Sequence, residues 1–152
     1  MRILLQRVKE ASVTVGGKST GEAGPGLLAL VGFENSDREK LLVPMIEKML
    51  NLRVFSDSEG KMNLSLMDIE GDLVLVSQFT LYADSKKGRR PSFVKALEPE
   101  QANLLFDQTV KLCKSRVRNV FQGVFGAEMN VQLINNGPVT ILLDSKELGI
   151  NP

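Results

Sequence analysis

The chain is expected to fold as a mixed α/β single domain in β/β/α layers. A sheet packs on a sheet, barrel-like, with two main helices on one outer side. Three observations lead there. Apolar runs of strand character recur at 2–15, 27–33, 72–79, 129–134 and 139–143. Only two stretches, around 41–50 and 99–117, space their apolar residues as a helix does. The strands therefore outnumber what two helices can cover on both faces, so strands must cover strands. Repeats, low-complexity stretches and linkers are missing from 1–152, which reads as one domain.

The elements follow in order. Ile3, Leu5, Val13 and Val15 mark a long first strand, bent near Glu10–Ala11. Gly16-Gly17 is a two-residue hairpin signal, with the partner strand in Ser19–Ala23. Gly24-Pro25-Gly26 punctuates, and Leu27–Phe33 is a continuous apolar run suited to a strand buried on both faces. Asn35-Ser36-Asp37 is an N-cap cluster before Leu41, Leu42, Met45, Ile46, Met49 and Leu50 at helical spacing. Pro44 lies inside that pattern and should kink the helix or delay its start. Leu52–Phe55 reads as a strand, Asp57–Gly60 as a turn and Asp72–Phe79 as the strongest strand. Residues 83–92 form a basic loop. Pro99-Glu100 opens the second helix, whose apolar face is Ala102, Phe106, Val110, Cys113 and Val117. Met129–Ile134 and Val139–Leu143 read as two strands joined by Asn135-Asn136-Gly137-Pro138.

Composition narrows the function. Hydrophobic residues make up 43% and charged residues 24%, as in a soluble globular protein. A net charge of +1 lacks the global basic field of a non-specific nucleic-acid binder, so any such contact must be local. Neither a signal peptide nor a membrane span is evident, and the expected location is the cytoplasm. One cysteine, Cys113, excludes an internal disulfide and reads as core. The absence of histidine matters most. It removes the commonest general base and the commonest metal ligand. Chemistry must then come from hydroxyls, backbone groups, carboxylates or the substrate, with no metal and no cofactor expected.

Two segments stand at the end or start of strand runs, where a scaffold presents polar groups to a ligand. Ser77-Gln78-Phe79-Thr80 offers two hydroxyls, an amide and a ring. Continued as a strand, it would put Ser77 and Phe79 on one side and Gln78 and Thr80 on the other. From spacing alone, an ordinary strand end with hydroxyls capping backbone groups is favoured. Asn136-Gly137-Pro138 could be a plain turn, or a Gly-Pro bond held cis that projects backbone carbonyls outward; about 5–6% of X-Pro bonds are cis. Lys86, Lys87, Arg89 and Arg90 form the one concentrated basic patch. It suits phosphate contact or a solvated loop.

These pieces resemble the D-aminoacyl-tRNA deacylases, also described as the D-tyrosyl-tRNA deacylase family. The resemblance rests on the start Met1-Arg2-Ile3-Leu4-Leu5-Gln6-Arg7-Val8, on Ser77-Gln78-Phe79-Thr80-Leu81 and on Lys87-Gly88-Arg89-Arg90-Pro91-Ser92-Phe93. It continues through Phe125-Gly126-Ala127-Glu128-Met129 and Asn136-Gly137-Pro138-Val139-Thr140. The resemblance implies a homodimer with sites at the subunit interface and the aminoacylated tRNA 3′ end as partner. It implies hydrolysis of the ester between tRNA and a D-amino acid, or glycine mischarged on tRNA-Ala. Gly137 and Pro138, in a cis motif inserted into the partner's site, would hold the substrate amino group and exclude an L side chain. Ser77, Gln78, Phe79 and Thr80 would line the catalytic pocket, with Phe79 acting through its backbone N–H. Ala102 would lie by the adenine, and Arg7 would orient the Gly-Pro motif. The alternatives are an esterase with Thr80 as covalent nucleophile and a non-catalytic RNA 3′-end-binding module.

Overall fold

β1 (Arg2–Val15) organises the molecule because it is long enough to serve several neighbours. In the computed structural model, which describes residues 1–151, β2 (Lys18–Ala23) and β3 (Gly26–Gly32) both run antiparallel to it. Val15 pairs with Lys18 and Ala11 with Ala23, then Val8 with Gly26 and Arg2 with Gly32. The break between β2 and β3 falls at Gly24-Pro25. β6 (Asp72–Ser77) runs parallel to β3, and β7 (Val120–Gln122) parallel to β6. β8 (Asn130–Asp144) pairs antiparallel with β1.

The sheet curls until β7 lies against β2. A Cβ placed on Gly21 would stand 2.5 Å from Phe121 Cδ1, so any larger residue there forces β7 or its ring to shift. β3 and β6 are closer still: a Cβ on Gly26 would fall 1.9 Å from the carbonyl oxygen of Asp72. The barrel-like interior holds Val8, Ala11, Val13, Ala23, Leu28, Val74 and Val76. Leu27, Ala29, Val31, Leu73 and Leu75 face the other way, as alternation along a strand requires. There they meet α1 (Leu42–Leu50) and α2 (Pro99–Lys114), which share one outer side. β3 is thus buried on both faces, as its unbroken apolar run suggests. α1 contributes Leu42, Met45, Ile46, Met49 and Leu50, each fully buried and each worth about 1.5–3 kcal/mol relative to exposure. The expected layers are observed. A small separate sheet pairs β4 (Phe55–Ser56) with β5 (Met62–Leu64) around the turn at Asp57–Gly60.

Four local expectations are corrected. Asn35-Ser36-Asp37 does not cap α1, which starts at Leu42 after a 3-10 turn over Glu39–Leu41. The delay puts Pro44 in the first turn, where its missing N–H costs nothing. Asp37 instead accepts the Met1 ammonium at 2.7 Å and the Glu34 N–H at 2.8 Å. The Leu52–Phe55 strand shrinks to Phe55–Ser56. β6 ends at Ser77, and Phe79–Tyr82 turns into a 3-10 helix, so strand alternation does not extend through Thr80. Finally, 129–134 and 139–143 are not two separate strands. Both belong to β8 and both pair with β1, Val8 opposite Asn135 and Gln6 opposite Thr140, so residues 136–139 bulge out opposite Arg7.

Candidate active site

The largest consequence of β6 ending at Ser77 is an apolar cleft of about 560 Å³ beside it. Val31, Gly32 and Val76 floor it from β3 and β6, while Ala102 enters from the first turn of α2. Ser77, Gln78 and Phe79 edge it, and Phe93, Phe125 and Met129 complete the apolar wall. Phe79 is 55% exposed and packs edge-on against Phe93, with ring centroids 5.0 Å apart. The pair offers a base or an aromatic group a stacking surface. Glu98 is the acidic side chain among the lining residues.

The turn Phe79–Tyr82 is held from behind. Arg2 Nη1 donates to the carbonyl of Leu81 at 2.8 Å, and its guanidinium lies 4.8 Å over the Tyr82 ring. Arg2 Nε donates to Asp144 Oδ2 at 2.7 Å. Burial works against the Asp144 charge, but the hydrogen bonds from Arg2 and the Lys146 N–H and nearby positive charge outweigh it. Its carboxyl is held below the ordinary carboxylate value. Burial first, then the carboxylates of Asp37, Glu34 and Asp144, push the Tyr82 phenol far above its ordinary value, so it stays protonated. The N–H groups of Phe79 and Thr80 open the turn, where a backbone donor has no partner within the helix.

Thr80 is exposed and does not line the cleft. Gln78 Nε2 donates to its hydroxyl oxygen. A donor on that oxygen draws electron density away from it, the reverse of what a general base does for a nucleophile. Lys86, Lys87, Arg89 and Arg90 are exposed in a loop closed by reciprocal backbone bonds between Asp84 and Ser92, each 2.8 Å. They flank the cleft through Phe93 but do not enter it.

Gly137, Pro138 and Arg7 lie elsewhere in the chain, outside that lining. The Gly137–Pro138 peptide is cis, and both residues are exposed. Gly137 has φ +147°, and a Cβ there would stand 2.8 Å from Val139 Cγ2 and 3.0 Å from Arg7 Nη2. Arg7 is 9% exposed and donates from Nε to the Asn136 carbonyl at 2.7 Å and from Nη1 to the Val54 carbonyl. Ser77, Gln78, Phe79 and Ala102 are thus brought together, and Gly137, Pro138 and Arg7 form a second cluster. The sequence reading assigned no role to Phe93, Phe125, Met129, Arg2 or Tyr82. Arg2, Phe93, Phe125 and Met129 sat inside motifs that carry the family resemblance, and Tyr82 had no signal beyond its sequence neighbours.

This arrangement falls among the aminoacyl-tRNA deacylases. The family model described as D-Tyr-tRNA(Tyr) deacylase matches residues 4–144, and the chain belongs to that family. A D-aminoacyl-tRNA deacylase of Kosmotoga olearia is 54% identical over 147 residues, 97% of this chain and 99% of that protein. One from Bacillus velezensis is 50% identical over 147 residues, 97% of this chain and 100% of its relative. Among solved structures, a protein described as c-Myc DNA Unwinding Element Binding Protein superposes with a TM-score of 0.89 at 42% identity. It covers 95% of this chain and 99% of its own. A probable eukaryotic D-amino acid tRNA deacylase shares the fold, with a TM-score of 0.78 at 18% identity over 93% of this chain and 97% of its own.

Proposed function

We propose that this protein hydrolyses the ester of D-aminoacyl-tRNA, and of glycyl-tRNA mischarged on tRNA-Ala, while sparing L-aminoacyl-tRNA. The observation that carries this reading is the gathering of Ser77, Gln78, Phe79 and Ala102 at one apolar cleft beside a turn whose first backbone N–H groups have no partner within the helix. An aminoacyl ester is already activated. It needs a positioned water and donors for the oxyanion more than a strong base. Water adds to the ester carbonyl, and the oxyanion is received by the Phe79 N–H. The C–O bond to the ribose then breaks, and the 3′ oxygen takes a proton as the amino acid leaves as a carboxylate. The ribose hydroxyl next to the ester can relay that proton. Ala102 and the Phe79–Phe93 pair accommodate the terminal adenosine, and Lys86, Lys87, Arg89 and Arg90 lie where tRNA phosphates pass.

Gly137 and Pro138 supply chirality by taking the substrate amino group on backbone oxygens and meeting an L side chain sterically. They do so in the cleft of a second copy, and the separation of the two clusters within one chain supports that reading. So does β8, which exposes Val131, Ile134 and Leu142 and, among the described residues, pairs with β1 alone. An unpaired, partly apolar edge strand invites a partner. A covalent Thr80 mechanism is disfavoured by the Gln78 hydrogen bond to its oxygen.

The test is release of free tRNA from a D-aminoacyl-tRNA by the purified protein, alongside Thr80→Ala. Release by both establishes non-covalent hydrolysis. Release by the wild type alone restores the Thr80 nucleophile. Binding of the RNA with the ester left intact establishes an end-binding module instead.

A further inference from the structure

We infer that Asn135 is the positioning residue of the Gly137–Pro138 loop and so sets how sharply the two enantiomers are told apart. This rests on the chiral role proposed above for that loop. β1 spends one residue, Arg7, where β8 spends four, 136–139, so the bulge loses its ladder partners on that stretch. A bulge without replacements for those bonds would move freely, and exposed backbone carbonyls would then have no fixed place.

The Asn135 side chain replaces them. Its Oδ1 accepts the Val139 N–H at 2.7 Å. Its Nδ2 donates to the Val139 carbonyl and to Thr140 Oγ1, both at 3.1 Å. One amide thereby ties the residue before the bulge to the two residues that end it. Gln6 Nε2 reaches the same Thr140 hydroxyl at 3.4 Å, linking the closure to β1. Arg7 holds the near side through the Asn136 carbonyl. Gly137 and Pro138 are left as the exposed crest between two braced ends. Telling a D from an L side chain by steric contact depends on sub-ångström placement of that crest, so the brace acts on selectivity without touching substrate.

The experiment compares initial rates on matched D- and L-tyrosyl-tRNA for the full chain, Asn135→Asp and Asn135→Leu, with thermal unfolding of each. Asn135→Leu keeps the volume and removes every bond. Its D:L rate ratio should fall by about tenfold or more, the scale of losing one or two such hydrogen bonds. Asn135→Asp keeps the acceptor for the Val139 N–H but sets a carboxylate oxygen against the Val139 carbonyl, so its ratio should fall below that of the wild type too. If the leucine variant does not fold, Asn135→Ser, too short to span the bulge, should show the same fall. A merely structural role lowers both rates together and leaves the ratio unchanged, and that result overturns the inference. A wild type without enantiomer preference would overturn the proposed function as well. A selective wild type with equally selective, folded variants overturns the role of Asn135 alone.

Discussion

Arg7 Nε stands 2.7 Å from the carbonyl oxygen of Asn136, at the β1 position that faces the whole bulge of β8. A guanidinium is a planar fork, and here its second arm reaches the Val54 carbonyl. The bulge is thus joined to the segment that follows α1 by one nearly buried side chain. Lysine offers a single ammonium in place of that fixed fork and cannot hold both carbonyls in the same geometry.

Arg7→Lys should therefore destabilise the protein by about 1–3 kcal/mol, the cost of leaving a buried carbonyl unpaired. It should also slow D-ester hydrolysis, because the crest carrying Gly137 loses its near-side brace. Denaturant unfolding with a parallel rate measurement checks both; an unchanged midpoint and rate would remove Arg7 from this role.

The barrel closes through glycines of unequal tolerance. At Gly26 a Cβ would meet the Asp72 backbone at 1.9 Å, whereas at Gly21 it would meet the Phe121 ring at 2.5 Å. The Phe121 ring can turn and its short strand β7 can shift by a few tenths of an ångström, whereas the paired β3–β6 backbone cannot give way by the distance Gly26 needs. Gly26→Ala should abolish soluble folded protein, while Gly21→Ala should fold with a lowered Tm. Circular dichroism melts of the two variants separate these outcomes.

Asp144 gives the Phe79–Tyr82 turn an acid limit. Its carboxyl titrates below the ordinary value of 3.8 in the folded state. Folding is therefore favoured by its charge above that value, and the contribution is lost as pH falls through the lower folded pKa. Stability should decline below about pH 4, and Asp144→Asn should flatten that decline while lowering stability at neutral pH. Urea midpoints measured from pH 2.5 to 7 test this, and an identical acid slope in the variant would exclude Asp144 as its source.

Much of this molecule was legible in its residues. The long alternation of Ile3, Leu5, Val13 and Val15, the continuous run at Leu27–Phe33 and the two helical faces give the layers, because burial imposes those periods directly. Asn136-Gly137-Pro138 misled in one respect. Asn-Gly reads locally as a turn between two strands, and nothing local reveals that both flanking stretches share β1 as their partner. Asp37 read as a cap for a similar reason, since its true partner, the Met1 ammonium, is distant in sequence. Ser77, Gln78 and Phe79 stood out as the polar end of a strand run and Ala102 only through the family resemblance, and the fold brings all four to one cleft. Phe93 and Met129 were assigned no role, because apolar residues that line a cleft look like any other core residues until the chain is folded.

The most direct measurement is hydrolysis of matched D-, L- and glycyl-tRNA esters by the purified protein with a chelator present. Loss of the D and glycyl esters with the L ester spared is the expected result. Equal cleavage of the D and L esters would contradict the steric role assigned to Gly137 and Pro138.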